Sequence, residues 1–240
     1  MTKWVKLHLI VEGQTERAFA RDTLKPHLAQ YHVSVNPFML LTNRKLGAVG
    51  GALSWDRFRY NVSGLLKQFA DKSDRFSTMI DWYKLDPHFP GTAEAGKLAK
   101  AADRASAVAN AVKSHFDSSR LVPFFTLHEF EALLFCDLST VARRLSGRDK
   151  GVASLKKEIG STPPEDVDDG PNTHPSARLE KHLPGYHQAK VRVGAPAAGE
   201  IGLHVLRGKC PHFGQWLTRL ENLGGNALKR NGQCPTTNIL

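Results

Sequence analysis

VKLHLIVEGQTE, residues 5–16, is the stretch that decides the fold. From Val5 to Val11 every residue is apolar except Lys6 and His8, and Val5, Ile10 and Val11 are β-branched. A strand of that composition is covered on both faces, as strands of parallel sheets are. The run stops at Glu12-Gly13, which puts a carboxylate where the chain leaves the sheet. From Gln14 to about Gln30 the composition is helical, with Ala18, Phe19, Leu24 and Leu28 as the inner face. Strand, acid, helix: this is how an α/β unit opens.

The same order repeats outward from it. Val33 to Leu41 reads as a second strand, and Pro37 assigns it to an edge or a bend. Arg44 and Lys45, with Gly47, Gly50 and Gly51, make a basic loop. Apolar residues at spacings of three and four (Trp55, Phe58, Val62, Leu65, Leu66, Phe69) predict an amphipathic helix. Ser77 to Asp81 is a short strand that again ends in a carboxylate. DPHFPG (Asp86–Gly91) is a turn, Thr92 to Phe116 an Ala-rich helix, and Leu121 to Leu127 another buried strand. His128-Glu129-Phe130-Glu131 follows, and then a helical run from Ala132 to Leu145. Strands and helices alternate four times, which predicts an α/β fold with a mainly parallel sheet flanked by helices. Residues 1–145 form the expected catalytic core. Residues 146–240 form a mostly helical or irregular extension that packs on it, with an irregular excursion over 146–176 and a helix from His212 to Leu223.

Composition narrows the function. The chain has 240 residues, 41% of them hydrophobic, which excludes wholesale disorder. No apolar run approaches the ~20 residues of a membrane helix. The N-terminal run meets Glu12 without a small-residue cleavage site, so no signal peptide is expected. Cys136, Cys210 and Cys234 are too few for a disulfide framework. A cytoplasmic protein without a membrane partner is the expectation. The net charge of +10 divides evenly between the two halves, so the basic character is diffuse and suits a polyanion such as nucleic acid.

Chemistry gathers at the strand ends. Glu12, Asp81 and the Glu129/Glu131 pair each follow a strand, and open α/β sheets build sites beyond those carboxyl ends. Converging carboxylates repel one another unless a cation sits among them, and oxygen ligands favour Mg²⁺ or Mn²⁺ over Zn²⁺. In a basic protein such a set suits phosphodiester cleavage or phosphoryl transfer. Acids are also favoured at helix N-termini by the macrodipole, a role that Glu16 fits equally well. On a helix, Glu129 and Glu131 would point about 200° apart, so one of them, Glu131, is expected to face the ion. Lys190 and Arg178 are candidates for phosphate contacts and charge stabilisation, and Arg44 and Lys45 for binding nucleic acid. His128 is a candidate for orienting a carboxylate or carrying a proton. Cys210-Pro-His212 lacks the second pair of ligands that a zinc site needs.

VEGQTE (Val11–Glu16) resembles the first motif of Toprim domains, the fold shared by topoisomerases, primases and overcoming-lysogenization-defect nucleases. Five blocks in order resemble, more closely, the family called domain of unknown function 4276. They are VEGQTER, MIDWYKLDPHFPG (Met79–Gly91), LHEFEALLF (Leu127–Phe135), PEDVDDGPNTHPSARLEKHLPGY (Pro164–Tyr186) and CPHFGQWLTRL (Cys210–Leu220). The resemblance implies a Toprim-like, Rossmann-type sheet and a Mg²⁺-dependent nuclease. Glu12 then takes the place of the Toprim glutamate, as metal ligand or general base, and Asp81 that of the first aspartate of Asp-x-Asp. Tyr83 stands where the second aspartate should be, which leaves Glu129 or Glu131, or less well Asp86, to supply the charge. Arg178 and Lys190 fall where the family commonly carries basic residues. Families of this type are commonly encoded beside an ATPase of the ABC or structural-maintenance class and are suspected of antiphage defence, which implies such a partner here. The chain has no GxxxxGK[ST] loop of its own. Two other readings stand beside the nuclease: an inactive Toprim-shaped adaptor that binds nucleic acid or the ATPase, and a phosphatase or nucleotidyl transferase. Oligomeric state is left open.

Overall fold

A computed structural model describes residues 3–40, 53–145, 149–167 and 170–225. Among these residues, five strands form a wholly parallel sheet in the order β2-β1-β3-β4, with β5 also on β3. The strands are β1 (Val5–Val11), β2 (Val33–Met39), β3 (Asp74–Asp81), β4 (Leu121–Val122) and β5 (Phe125–Thr126). β1 lies inside the sheet and β2 at its edge, where Pro37 is tolerated. The strand expected over residues 121–127 is cut in two at Pro123. Across the cut, the Thr78 hydroxyl donates to the Phe124 carbonyl and accepts from the Phe124 N–H, both at 2.7 Å. A side chain of β3 thus replaces the missing rungs of the ladder.

Alternation along β1 and β3 sorts the core into two layers. Ile10, Phe76 and Ile80 face α3 (Trp55–Gln68), α4 (Thr92–Ala95) and α5 (Ala101–Phe116). Leu7, Leu9, Val11 and Met79 face the other way, toward α1 (Gln14–Phe19) and α2 (Lys25–Ala29). A π-helical turn, Ala20–Leu24, joins α1 to α2. It lies just before Pro26, which has no N–H to offer the Asp22 carbonyl. The same apolar cluster continues into α6 (Leu138–Arg144), α7 (Asp149–Ile159), α8 (Pro175–His182), α9 (Tyr186–Ile201), α10 (Leu203–Lys209) and α11 (Pro211–Glu221). The helical C-terminal part therefore closes one face of the sheet.

Beyond the cut at Pro123, the structure departs from the sequence reading in four local ways. The helix expected over 92–116 is interrupted after Ala95, where Gly96 ends α4. Residues 130–136 form a 3-10 helix, not the start of a longer α-helix. The excursion expected to be irregular over 146–176 contains α7 and the start of α8. In α7, Val152, Leu155 and Ile159 form an apolar stripe that the flanking Gly and Asp residues obscured. Gly151 is part of that packing, because a β-carbon there would stand 2.0 Å from the His182 carbonyl oxygen of α8. Finally, β3 begins at Asp74, three residues before the expected start.

Candidate active site

The carboxyl ends of β1 and β3 bring Glu12 and Asp81 side by side, and the Glu12 Oε2 accepts from the Asp81 N–H at 3.3 Å. Asp81 in turn accepts from the Phe130 N–H at 2.9 Å, which fixes the start of the 3-10 helix against the sheet. Within that helix Glu131 is fully buried. Its Oε1 accepts from the Tyr186 hydroxyl at 3.0 Å and pairs with Lys190 Nζ at 3.1 Å. Tyr186 and Lys190 are four residues apart on α9, so they rise from one helical face.

Glu16 completes the group. It is 4% exposed, and its charge couples to Glu131, Glu12 and Asp81. Gly13 gives the carboxylate room to fold back over the start of α1, since a β-carbon at Gly13 would lie 2.9 Å from Glu16 Oε2. A second glycine sets the wall behind it. At Gly194 of α9, a β-carbon would stand 3.1 Å from Thr15 Cγ2 and 3.2 Å from the Tyr186 hydroxyl. That close approach of α9 to α1 is what delivers Tyr186 and Lys190 to acids from the other half of the chain.

The electrostatics follow from crowding acids away from water. Burial pushes Glu16 up to about 7, with the charge of Glu131 adding to it. Burial, then the charges of Glu16, Glu12 and Glu131, hold Asp81 well above the usual carboxylate range. Glu12 is raised by burial too, against the opposing pull of the Asp81 N–H, Lys190 and Arg57. Burial would lower Lys190, but Glu131 and Asp81 outweigh it, so the ammonium stays charged. Among the described residues, two buried oxygens in this neighbourhood have no hydrogen-bond partner: Glu131 Oε2, and the Oγ1 of Thr126, which sits in register with Asp81.

The other residues read from the sequence lie apart from this group or are engaged elsewhere. Glu129 diverges from Glu131 and serves α8: it accepts from the Ser176 N–H at 2.8 Å and Ser176 Oγ at 3.1 Å, and bonds His174 Nδ1 at 3.1 Å. Tyr83 stacks on that same His174, with centroids 4.4 Å apart. Arg178 donates to the Thr173 carbonyl at 2.7 Å and pairs with Glu158, so the structure does not bring it to the carboxylates. His128 bonds the Glu165 carbonyl at 3.0 Å from Nε2. Asp86 accepts from the Trp55 N–H at 2.8 Å and caps α3. Arg44 and Lys45 lie outside the described residues. Glu16 was read equally as an acid of the helix start and was not assigned to the site, and Tyr186 and Thr126 were not singled out. The four-residue spacing of Tyr186 from Lys190 was the one available signal.

Among the described residues, no three His, Cys, Asp or Glu side chains form a ready-made metal cage. The donors nevertheless suit a hard cation, since four acids face Lys190 and, at Glu12, Arg57, and one oxygen of Glu131 is left unpartnered. No described helix is long and apolar enough to cross a membrane. A family model described as domain of unknown function (DUF4276) matches residues 11–221. No curated protein and no solved structure matches the chain.

Proposed function

The chain belongs to the DUF4276 family, and from the carboxylate cluster we propose that it is a metal-dependent, Toprim-like nuclease that cleaves phosphodiester bonds of DNA or RNA in the cytoplasm. The observation that carries this is the crowding of Glu12, Glu16, Asp81 and Glu131 at the carboxyl ends of two parallel strands, with Glu16 and Glu131 buried, Glu12 and Asp81 half-buried, and too little positive charge among the described residues to balance them. A fold tolerates such uncompensated acids at a cost in stability, and function is the usual reason for it. Glu12, Asp81 and Glu131 would hold Mg²⁺ or Mn²⁺, with Glu16 behind them. The ion, when bound, supplies a Lewis acid for the phosphate and acidifies a water.

The side chains themselves have separable roles. A raised carboxyl such as Glu16 exchanges its proton near neutrality and can accept one from an attacking water. Lys190 remains charged and partly exposed, which suits it to a phosphate oxygen while Tyr186 keeps Glu131 in place. The diffuse charge of +10 would gather a polyanionic substrate. By resemblance, the protein would act in antiphage defence under the control of an ATPase of the ABC or structural-maintenance class.

The test is incubation of the protein, beside Glu12→Ala and Asp81→Ala, with plasmid, single-stranded DNA and total RNA in Mg²⁺ and then Mn²⁺. Cleavage lost in both variants is the expected result. Full cleavage by both variants overturns the assignment. The second reading is an adaptor of the same shape, favoured by Tyr83 at the position of the second aspartate and by the absence of a ready-made cage among the described residues. An adaptor would show no rise in melting temperature with either ion, whereas a working site is stabilised as the ion exceeds its Kd.

A further inference from the structure

On the outer edge of the sheet, away from the carboxylates, a groove of about 380 Å³ runs between α5, β4 and α11. That volume lies within the range of about 300–1,000 Å³ usual for small-molecule sites. Lys113 and Arg219 stand on it from opposite helices, Asn110 and Gln215 add amide groups, and among the described residues no acidic side chain lines it. Among the described residues neither Lys113 nor Arg219 is in an ion pair, in contrast to Arg143, Arg144, Arg178 and Arg207, which all have carboxylate partners.

The inner wall is aromatic. Phe124 stacks against Trp216 at 4.4 Å and 11° and against His212 at 5.1 Å and 26°, and all three line the groove. Trp216 donates to Ser77 Oγ at 2.8 Å and His212 Nε2 bonds the Phe125 carbonyl at 3.0 Å, so the wall is anchored to the sheet. Burial lowers His212, which leaves Lys113 and Arg219 as the positive charge of the groove. Two uncommitted cations in front of a rigid aromatic wall, with amides between, suit one chemistry: a phosphate attached to a planar ring.

We propose that this groove is a second binding site that takes the phosphate of a nucleotide between Lys113 and Arg219 and its ring against His212, the half-buried member of the His212–Phe124–Trp216 stack. The nucleotide is either free or part of a nucleic-acid strand. None of the carboxylates of the candidate active site lines the groove, so its occupancy does not depend on cleavage.

The test is calorimetric titration of the full chain in EDTA with AMP, adenosine, inorganic phosphate and a thymidine decanucleotide. The same titrations are repeated on Lys113→Ala/Arg219→Ala and on Glu12→Ala. AMP should bind saturably and more tightly than adenosine or phosphate alone. The double variant should weaken it roughly tenfold or more, because two charge-assisted contacts are lost. Both residues are solvent-exposed, so the double variant should melt as the parent does. Glu12→Ala should bind AMP as the parent does, which separates this site from the nuclease assignment. Binding of the decanucleotide without AMP supports the site and assigns the phosphate to a strand. Equal affinity for phosphate and AMP overturns the role of the aromatic wall. Unchanged binding in the double variant, or none by AMP and decanucleotide at millimolar concentration, overturns the site.

Discussion

Strand β3 begins with a buried aspartate and ends with a half-buried one, and the two are treated in opposite ways. Asp74, 3% exposed, bonds His8 Nε2 at 2.9 Å and accepts from the Asp71 N–H at 2.8 Å. Burial pushes its carboxyl up, but His8 and the Asp71 N–H win, and the group sits below its ordinary range. Asp81, at the other end, accepts one N–H and faces three more acids, and it is held far above that range. A residue that holds the fold together is matched by its neighbours. On the proposed reading Asp81, which its described neighbours match only in part, is held for the metal ion. The same contrast separates Glu221, which His27 and Arg207 both engage, from Glu131, one oxygen of which has no partner among the described residues.

Exchanging the two aspartates gives the largest effects. Asp81→Ala should reduce cleavage by about a thousandfold or more while the protein still folds. Asp74→Ala should do the reverse: it strands His8 among Phe69 and Phe76 and costs about 3 kcal/mol of stability, as breaking a buried pair does. Urea unfolding and nuclease assays on both variants read this directly. Equal destabilisation by both would remove the distinction.

The same contrast has a pH signature. Glu16 rises from an ordinary 4.5 to about 7 on folding, so between those values the folded chain keeps a proton that the unfolded chain has lost. Stability therefore falls as pH rises through that window, by on the order of 3 kcal/mol from this group alone. Asp81 and Glu12, also raised, act in the same sense. Asp74, lowered, contributes stability above its ordinary 3.8 that is lost as pH falls through its depressed value. The metal-free protein should be most stable near pH 5. Mn²⁺ should raise the melting temperature more at pH 7.5 than at pH 5, because binding must displace protons, and EDTA should reverse it. A metal-free stability that climbs from pH 5 to 7.5 would contradict the assignment of the raised acids.

Lys190 sharpens the comparison further, as the main positive charge against the unmatched group. Lys190→Met should cost about 2 kcal/mol, less than a fully buried partner would because the side chain is 31% exposed. Lys190→Arg should restore most of it. If Lys190→Met melts like the parent, the Glu131 contact is not holding α9 on α1.

Much of this was legible in the sequence because a parallel strand is a dense local signal. Val5–Val11 and the end of β3 are apolar runs halted by an acid, so Glu12 and Asp81 could be placed without tertiary knowledge. What was illegible depends on contacts across long stretches of chain. Glu16 joins the site because Gly13 makes room for its carboxylate. Tyr186 joins because Gly194 lets α9 lie on α1, some 170 residues away in sequence. Arg178 looked available because nothing in its own segment announces Glu158 on α7. The helical content of α7 itself was hidden by Gly151, which serves packing there and not a turn.

The smallest effect tests whether the unmatched character extends to neutral groups. Thr78 and Thr126 are both buried hydroxyls of the sheet layer nearest the site. Thr78 makes two 2.7 Å bonds to Phe124, whereas Thr126 Oγ1 has no partner among the described residues. Thr78→Val should cost about 2 kcal/mol, because it leaves both the carbonyl and the N–H of Phe124 without a partner where Pro123 breaks the strand. Thr126→Val is the same change of shape but removes a hydroxyl already unpaired, so it should be within about 0.5 kcal/mol of the parent or slightly more stable. A loss of Mn²⁺-induced stabilisation in Thr126→Val, with its metal-free stability unchanged, would place that hydroxyl beside the bound ion. A metal-free loss as large as that of Thr78→Val would show instead that Thr126 is an ordinary structural threonine. The unmatched set would then consist of the acids alone.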